Sequence, residues 1–372
     1  MKRWLAVSAG FSAIFASHSA AAQDAASPDW AGVFEGKIGR YPVIACFDQS
    51  YDEIGFGSYY YLSQLKPIPL ESIGSKSRWA EGDADRAGKL RPIWQTRQNG
   101  DDQIVGTWRS GARRLPINLT RMPAGAEEYD SACAAANFLY PRVVSPEFTS
   151  SPKRLEDFQY TILDYKTPAH FASVSIAGFT FDPVEPGDKA IVGQLAAMLP
   201  AGTFQDDYMQ CMAGLLGFRG VDGDYEREVT PKFANSQLLS FQSSNSVYCG
   251  GAYPSNWRDF FVYDRQSGLA LDPVRWFNAK AVQESEYGTK IMQEPLRQRI
   301  IQDWPADGDC ECSGLAETWE SWAYQLLEGG VNFQPQFPHV AQACQEEVFL
   351  NWDQLQPFLS EEGRIIQIRA AQ

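Results

Sequence analysis

Apolar and polar positions alternate along the chain from residue 30 to about residue 122. Runs such as residues 41–47 and 57–62 are rich in aromatic and β-branched side chains, and Gly, Asn and Asp separate them. This pattern is typical of antiparallel strands joined by tight turns. It predicts a β-meander that curls into a small barrel or a sandwich, followed by a short helix over residues 130–140.

The rhythm changes in the second half of the chain, where strand-like runs mix with apolar positions at helical spacing. Gly217 is expected to end the second helix, and Asp353 to cap the last one. Strands and helices without strict alternation indicate an α+β fold. We predict strands over residues 158–165, 171–181, 233–249, 259–264, 319–333 and 347–352, and helices over 188–199, 203–218, 280–304 and 353–359.

Residues 142–157 carry the composition of a linker. They contain Pro146, Pro152 and the polar run Thr149–Ser151, and such segments commonly join domains. We therefore expect a β-rich antiparallel N-terminal domain at residues 29–141 and an α+β domain at residues 158–372.

The first 22 residues have the pattern of a secretory signal peptide. A basic start at Lys2 and Arg3 precedes an apolar run, and Ala20-x-Ala22 fits a cleavage site. The run is too short for a convincing membrane span, and no later stretch reaches ~18 uninterrupted apolar residues. We expect a soluble periplasmic or secreted bacterial protein without a transmembrane segment.

Charge narrows the classes of partner. The chain has 46 acidic and 32 basic residues, a formal net charge of −14. Such a surface repels phosphate backbones and disfavours anionic membranes, so we expect no nucleic-acid partner. A cationic partner would suit it.

Seven cysteines follow the signal-like segment. In an oxidising compartment they are expected to form structural disulfides. Cys46 and Cys133 are alone in the N-terminal third, so we predict that they pair. The sequence leaves the pairing of the other five open: Cys211, Cys249, Cys310, Cys312 and Cys344.

The common catalytic constellations are missing from the sequence. His170 and His339 are the only histidines beyond residue 22, which excludes zincin motifs and multi-histidine metal sites. There is no nucleophile elbow, P-loop or dinucleotide fingerprint. The acidic runs at residues 222–226 and 307–311 lack the glycine of a calcium loop and are interpreted as acidic turns. We expect no cofactor, no metal and no catalytic residue.

A carboxylate-dependent hydrolase of peptidoglycan or polysaccharide is the enzymatic alternative, because two carboxylates suffice for glycoside hydrolysis. No pair stands out in the sequence. The candidates are Glu127, Glu128, Asp206, Asp207, Asp222, Asp224, Glu346 and Glu347.

The most informative stretch runs from residue 238 to 277. Gly250, Gly251 and Ala252 follow the strand that ends at Tyr248, and we interpret them as a tight glycine crossover that belongs to a structural hairpin. A hairpin with Asp264 and Gly268 comes next. Exposed aromatic side chains beside such a constrained loop suit protein contact or sugar stacking, so the predicted ligand surface comprises Tyr248, Tyr253, Asn256 and Trp257.

This stretch resembles the extracellular domain family of the lysozyme-sensing anti-sigma factor RsiV, a family catalogued largely as a domain of unknown function. The resemblance rests on Tyr248-x-Gly250-Gly251-Ala252 and on Asp264-x-x-Ser267-Gly268. It extends over roughly residues 158–360, with residues 330–340 and 355–359 fitting the family's last strand and closing helix. Tyr253 stands where the family usually has His.

The resemblance implies an RsiV-like α+β domain that binds lysozyme, another wall-active protein or cell-wall glycan. Lysozyme is strongly cationic, so the acidity of this chain would favour the encounter. Without a transmembrane or sigma-binding segment in the sequence, anti-sigma activity is not implied. We thus predict an exported binding protein of the cell envelope, with the hydrolase and a purely structural envelope protein as alternatives.

Overall fold

The computed structural model describes residues 30–49, 54–82, 91–123, 131–285, 289–305 and 312–372. Within these ranges, eight antiparallel strands close into a barrel in which each strand pairs with the next and the last pairs with the first. The barrel confirms the predicted β-rich N-terminal region. Its strands are β1 (Gly32–Ile38), β2 (Tyr41–Gln49), β3 (Gly55–Tyr61), β4 (Ile68–Ser72), β5 (Arg78–Glu81), β6 (Ile93–Gln98), β7 (Gln103–Ser110) and β8 (Arg113–Arg121).

Large side chains fill the barrel, as the alternation along its strands requires. Phe34, Phe47, Tyr59, Trp79 and Trp94 are all at most 2% exposed and pack as one cluster. The alternate positions of β1 to β3 face outward, where several are also buried against the rest of the molecule. The barrel is therefore a packed core with a second apolar face on its outer wall.

A second, six-stranded sheet occupies the middle of the described chain, in the order β14-β13-β12-β11-β10-β9. Neighbouring strands are antiparallel except β11 and β12, which are parallel and are connected through two helices. The elements are α1 (Ala136–Leu139), β9 (Phe148–Leu155), β10 (Phe158–Tyr165), β11 (Val174–Thr180), α2 (Asp188–Ala197), α3 (Asp207–Arg219), β12 (Asp224–Ala234), β13 (Leu238–Tyr248) and β14 (Ser255–Asp264).

The C-terminal part adds two small sheets and four helices within the described ranges. The three-stranded sheet β17-β18-β19 shares a core with one face of the six-stranded sheet through Leu238 and Val262. The elements are β15 (Val282–Glu284), β16 (Lys290–Met292), α4 (Glu294–Gln302), α5 (Cys312–Thr318), β17 (Trp322–Leu327), β18 (Gly330–Pro335), β19 (Val348–Asn351), α6 (Trp352–Leu355) and α7 (Glu361–Ala370).

Strands and helices thus coexist in an α+β arrangement, as predicted. No helix among the described residues is long and apolar enough to cross a membrane. The predicted signal peptide lies outside the described residues.

The segment expected to be a linker, residues 142–157, contains a strand instead. β9 pairs with β10 along its whole length, from Phe148 opposite Tyr165 to Leu155 opposite Phe158. Pro152 is tolerated because β9 is the edge strand of the sheet, where a missing backbone N–H leaves no neighbour unpaired. Of the residues that indicated a linker, Thr149 and Ser150 are exposed positions of this edge strand and Ser151 is partly buried.

Three predicted helix features differ in the structure. The first half of residues 280–304 forms the hairpin β15–β16, and helix begins only at α4, with Pro295 in its first turn. Gly217 lies inside α3 and packs closely on Ser131 and Ala134, and the helix ends at Gly220 with φ of +70°. The cap of α6 is Asn351 rather than Asp353, because the Asn351 side chain accepts from the N–H of Gln354.

Barrel and second sheet share one hydrophobic core. Val33, Ile44 and Tyr60 of the barrel wall pack in the same cluster as Met209 and Met212 of α3. The two regions predicted as separate domains are thus in direct apolar contact.

Candidate functional site

The Gly250–Gly251 segment connects two neighbouring strands. β13 and β14 are antiparallel partners, paired from Leu238 opposite Asp264 to Val247 opposite Ser255, so the glycines lie in a hairpin connection and the strands do not cross there. Gly250 and Gly251 have backbone φ angles of +117° and +91°, which residues with a Cβ atom rarely adopt.

The following turn, at residues 264–268, is fixed by Asp264. Its Oδ1 accepts hydrogen bonds from the backbone N–H groups of Gln266 and Ser267, at 2.7 and 3.0 Å. Burial alone would raise the pKa of Asp264, but these two N–H groups and the Arg369 guanidinium outweigh it, so the pKa lies below its ordinary value. Gly268 has φ of +74° and packs closely on Gly187. Asp264 is therefore a turn anchor.

The four residues predicted to bind a ligand are close in sequence but only two share one groove. Asn256 and Trp257 line it. Tyr253 is 67% exposed and stacks on His339, with 5.2 Å between the ring centroids. The hydroxyl group of Tyr248 donates to the carbonyl of Gly251 at 3.2 Å and thus supports the hairpin loop.

The groove has a volume of about 510 Å³, within the range of small-ligand sites. Its floor is one face of the six-stranded sheet. Cross-strand register places Glu226, Ser246 and Asn256 in one row and Glu228, Ser244 and Arg258 in the next. A wall comes from Gln334 of β18 and from the 3₁₀ segment His339–Cys344 with Gln345. Nearly all of the lining is polar.

Trp257 belongs to the edge of the groove. Its cross-strand partner is Asn245, and it alternates with Asn256 and Arg258, so it projects from the other face of the edge strand β14 and lines the groove only at its rim. Its indole N–H donates to Asp259 Oδ2 at 2.9 Å. The side chain is 38% exposed, so part of it remains open to a ligand.

Gln334 contributes a side-chain amide to the wall of the groove. It is 3% exposed, yet its side-chain amide has no hydrogen-bond partner among the described residues. The amide belongs to the lining of the groove and is not sealed in the core, so water or a ligand can reach it. An amide held at the wall of a groove in this state is ready to donate to, and accept from, a bound molecule.

The remaining charges of the site are partly neutralised. Arg258 pairs with Glu347, whose other oxygen accepts from Asn332 Nδ2 at 2.6 Å. Glu226 and Glu228 are exposed and form no ion pair within the part of the chain that the structure describes. The groove therefore carries two free carboxylates and a net negative character.

Sequence reasoning missed most of these residues. Glu226 was interpreted as the end of the acidic turn at residues 222–226, and Glu228 was not singled out, although the two alternate along β12. Asn332 and Gln334 alternate with Val331 and Phe333 in a strand that is buried throughout. Two amides at alternate positions of a buried strand are a signal that could have identified the wall.

The carboxylates that the sequence offered for hydrolysis are dispersed, and several of them have structural partners. Both oxygens of Asp206 accept from N–H groups of residues 201–203. Asp207 pairs with Arg227, and Asp222 with Arg142. Asp224 faces solvent at the start of β12, Glu346 does not line the groove, and Glu127 and Glu128 lie outside the described residues.

Neither histidine has a catalytic setting. His170 Nε2 lies 2.9 Å from the carbonyl oxygen of Arg142, and burial lowers the pKa of its ring. His339 stacks on Tyr253. No group of metal-ligating side chains occurs in the described ranges.

Three disulfides join six of the described cysteines. Cys46–Cys133 is the predicted pair, and Cys211–Cys249 and Cys312–Cys344 are the other two. Cys310 lies outside the described residues. Two of the bonds flank the groove: Cys249 precedes the hairpin loop, and Cys344 ends the 3₁₀ segment of the wall.

Comparison with known proteins gives distant structural neighbours. No protein-family profile matches the sequence, and no curated protein matches it either. The structure of a DUF3298 family member from Bacteroides fragilis is 12% identical, with a TM-score of 0.37, over 61% of this chain and 96% of that one. A DUF3298 protein from Pseudomonas aeruginosa is 15% identical, with a TM-score of 0.30, over 58% and 94%. The relation to the RsiV extracellular domain stays a prediction.

Proposed function

We propose that this protein is an exported, non-catalytic binding protein of the cell envelope, and that the groove between β12–β14 and β18 binds cell-wall glycan. The observation that carries the proposal is a polar groove in which the Gln334 amide has no hydrogen-bond partner, and Glu226 and Glu228 no ion pair, among the described residues. Three disulfides support an oxidising compartment outside the cytoplasm.

The chemistry of the lining favours a sugar over a protein. Sugar hydroxyl groups both donate and accept hydrogen bonds, and so do the amides of Gln334 and Asn256, while Glu226 and Glu228 accept from hydroxyl groups. The centre of a protein interface is instead depleted of charged residues. Trp257 at the edge offers an apolar surface on which a sugar ring can pack.

Calorimetric titration with soluble peptidoglycan glycan fragments tests the proposal. We expect saturable binding, and a dissociation constant roughly three- to tenfold higher for Gln334→Leu, because one hydrogen bond contributes about 0.5–1.5 kcal/mol. Asn256→Ala should weaken binding similarly. The matched control is Asn118→Ala, an exposed asparagine on the barrel wall, which should leave binding unchanged.

The same preparation separates the alternatives. Hen-type lysozyme, titrated at two salt concentrations, tests the cationic protein partner, whose binding would weaken with salt. Release of reducing ends from the glycan would indicate a hydrolase, with Glu226 and Glu228 as the first residues to substitute. Binding of lysozyme alone, or release of reducing ends, would overturn the proposed role.

A further inference from the structure

One end of the barrel holds a cavity unrelated to the groove. Its volume is about 190 Å³, and its apolar wall comes from Trp30, Phe47, Trp79 and Ile104. The aromatic rings of this wall contact one another. The ring centroids of Trp30 and Trp79 are 5.6 Å apart, and those of Phe47 and Trp79 are 5.0 Å apart. The cavity is thus an aromatic cage open at the barrel mouth.

Two cations stand at the rim of this cage. Lys76 Nζ lies 5.0 Å from the Trp30 ring centroid and donates to Gln49 Oε1 at 3.1 Å. Arg97 lies on β6 and lines the same cavity. Neither residue forms an ion pair with a carboxylate in the ranges that the structure describes. Two cations without acidic partners therefore stand beside one cavity, in a chain whose net charge is −14.

The carboxylate of Glu81 is held away from the cavity, elsewhere in the barrel. Its Oε1 accepts from the hydroxyl group of Tyr59 at 2.7 Å and from the indole N–H groups of Trp94 and Trp108 at 2.9 and 2.5 Å. Glu81 does not line the cavity. The lining of the cavity therefore contains no carboxylate that would repel an anionic ligand from the apolar cage and the cationic rim.

We propose that the barrel mouth is a second binding site, for a small anion that carries one apolar ring, such as a monocyclic aromatic carboxylate. The size fits, because an apolar cavity of about 150 Å³ suffices for benzene. The ring would enter the cage of Trp30, Phe47 and Trp79. The carboxylate would remain at the rim, where Lys76 and Arg97 can donate to it.

The probe is benzoate, followed by calorimetry and by saturation-transfer NMR of the ligand protons. Benzyl alcohol and benzylamine provide neutral and cationic controls of similar size. We expect benzoate to bind more tightly than benzyl alcohol, and benzylamine to bind least. Benzoate binding should also weaken as salt increases.

Substitutions at the rim complete the test. Lys76→Gln and Arg97→Gln should each raise the benzoate dissociation constant roughly two- to fivefold, as expected for exposed ion pairs. Lys37→Gln, an exposed cation elsewhere on the barrel wall, is the matched control and should change nothing. Asn256→Ala, in the groove, should also leave benzoate binding intact. Equal binding of benzoate and benzyl alcohol, unchanged binding by the rim variants, or no saturable binding would overturn the proposal.

Discussion

At the scale of single residues, Asp188 shows how a buried charge is retained. It is fully buried, and both of its oxygens accept from the Arg265 guanidinium, at 2.9 and 2.7 Å. Burial alone would raise the pKa of Asp188, but Arg265 and the N–H groups of Glu185 and Val184 outweigh it, and the pKa is lowered. The ion pair connects the start of α2 to the turn after β14.

Asp188→Asn should therefore lower the free energy of unfolding at pH 7 by about 3–5 kcal/mol, because it leaves Arg265 buried without its counter-charge. Chemical denaturation measures the difference. The control is Asp157→Asn, which removes an exposed ion pair with Arg154 and should have little effect. A loss below about 1 kcal/mol for Asp188→Asn would contradict this interpretation.

The same pair predicts a direction for the pH dependence. Because the pKa of Asp188 is lower in the folded state, the unfolded chain binds more protons below its own pKa of about 4. The stabilisation is complete above that pH and is lost as the pH falls through the folded pKa. The difference between wild type and Asp188→Asn should accordingly shrink under acidic conditions, and a difference that grows there would be inconsistent with it.

At the scale of elements, the Cys312–Cys344 disulfide positions one wall of the groove. It ties α5 to the end of the segment His339–Cys344, whose Gln342 donates to the Asn256 carbonyl at 2.7 Å. All residues of this segment are at least partly exposed. The covalent tie, a few hydrogen bonds and the packing of Ala341 and Cys344 on the core thus restrain it.

The double variant Cys312→Ser/Cys344→Ser should raise the dissociation constant for glycan, because the wall must then be ordered on binding. The matched control, Cys46→Ser/Cys133→Ser, removes a disulfide remote from the groove, and it should lower stability without a comparable loss of affinity. Calorimetry and thermal unfolding of both variants separate the two effects. Equal losses of affinity would indicate a general loss of structure.

Prediction from sequence succeeded for strands and helices whose conformation follows from the pattern of neighbouring residues. The barrel strands follow from their period-2 alternation, and residues 158–165 coincide with β10. The prediction of a helix over all of residues 280–304 is wrong for its first half. Ile291, Leu296 and Ile300 share a helical stripe in the sequence, but Val282 and Met292 are buried in the core as parts of a hairpin. Packing of distant residues there outweighs local helical preference.

At the scale of the whole molecule, the barrel and the second sheet are joined by Arg142. This residue is fully buried; its Nε donates to the carbonyl of Leu65, and its other two nitrogens donate to both oxygens of Asp222. Its guanidinium also lies 4.6 Å from the ring centroid of Phe171. Sequence reasoning placed Arg142 at the start of a linker, because no local pattern shows partners 77 and 80 residues away.

We expect the two regions to unfold together, in one transition, because they share a core. Arg142→Met should destabilise the protein by about 3–5 kcal/mol, since Asp222 loses its counter-charge. Fluorescence and circular dichroism should report coincident denaturation midpoints for the wild type. Two separated wild-type transitions, with the barrel surviving alone, would show that the shared core does not couple the regions.

The most direct test of the account concerns the side-chain amide of Gln334. In protein labelled with ¹⁵N at glutamine and asparagine side chains, Gln334→Leu assigns its signal. Addition of peptidoglycan glycan fragments should shift the amide signals of Gln334 and Asn256 and leave that of Asn118 unchanged. If the fragments bind while the Gln334 signal stays in place, the groove is not the glycan site, and the central claim fails.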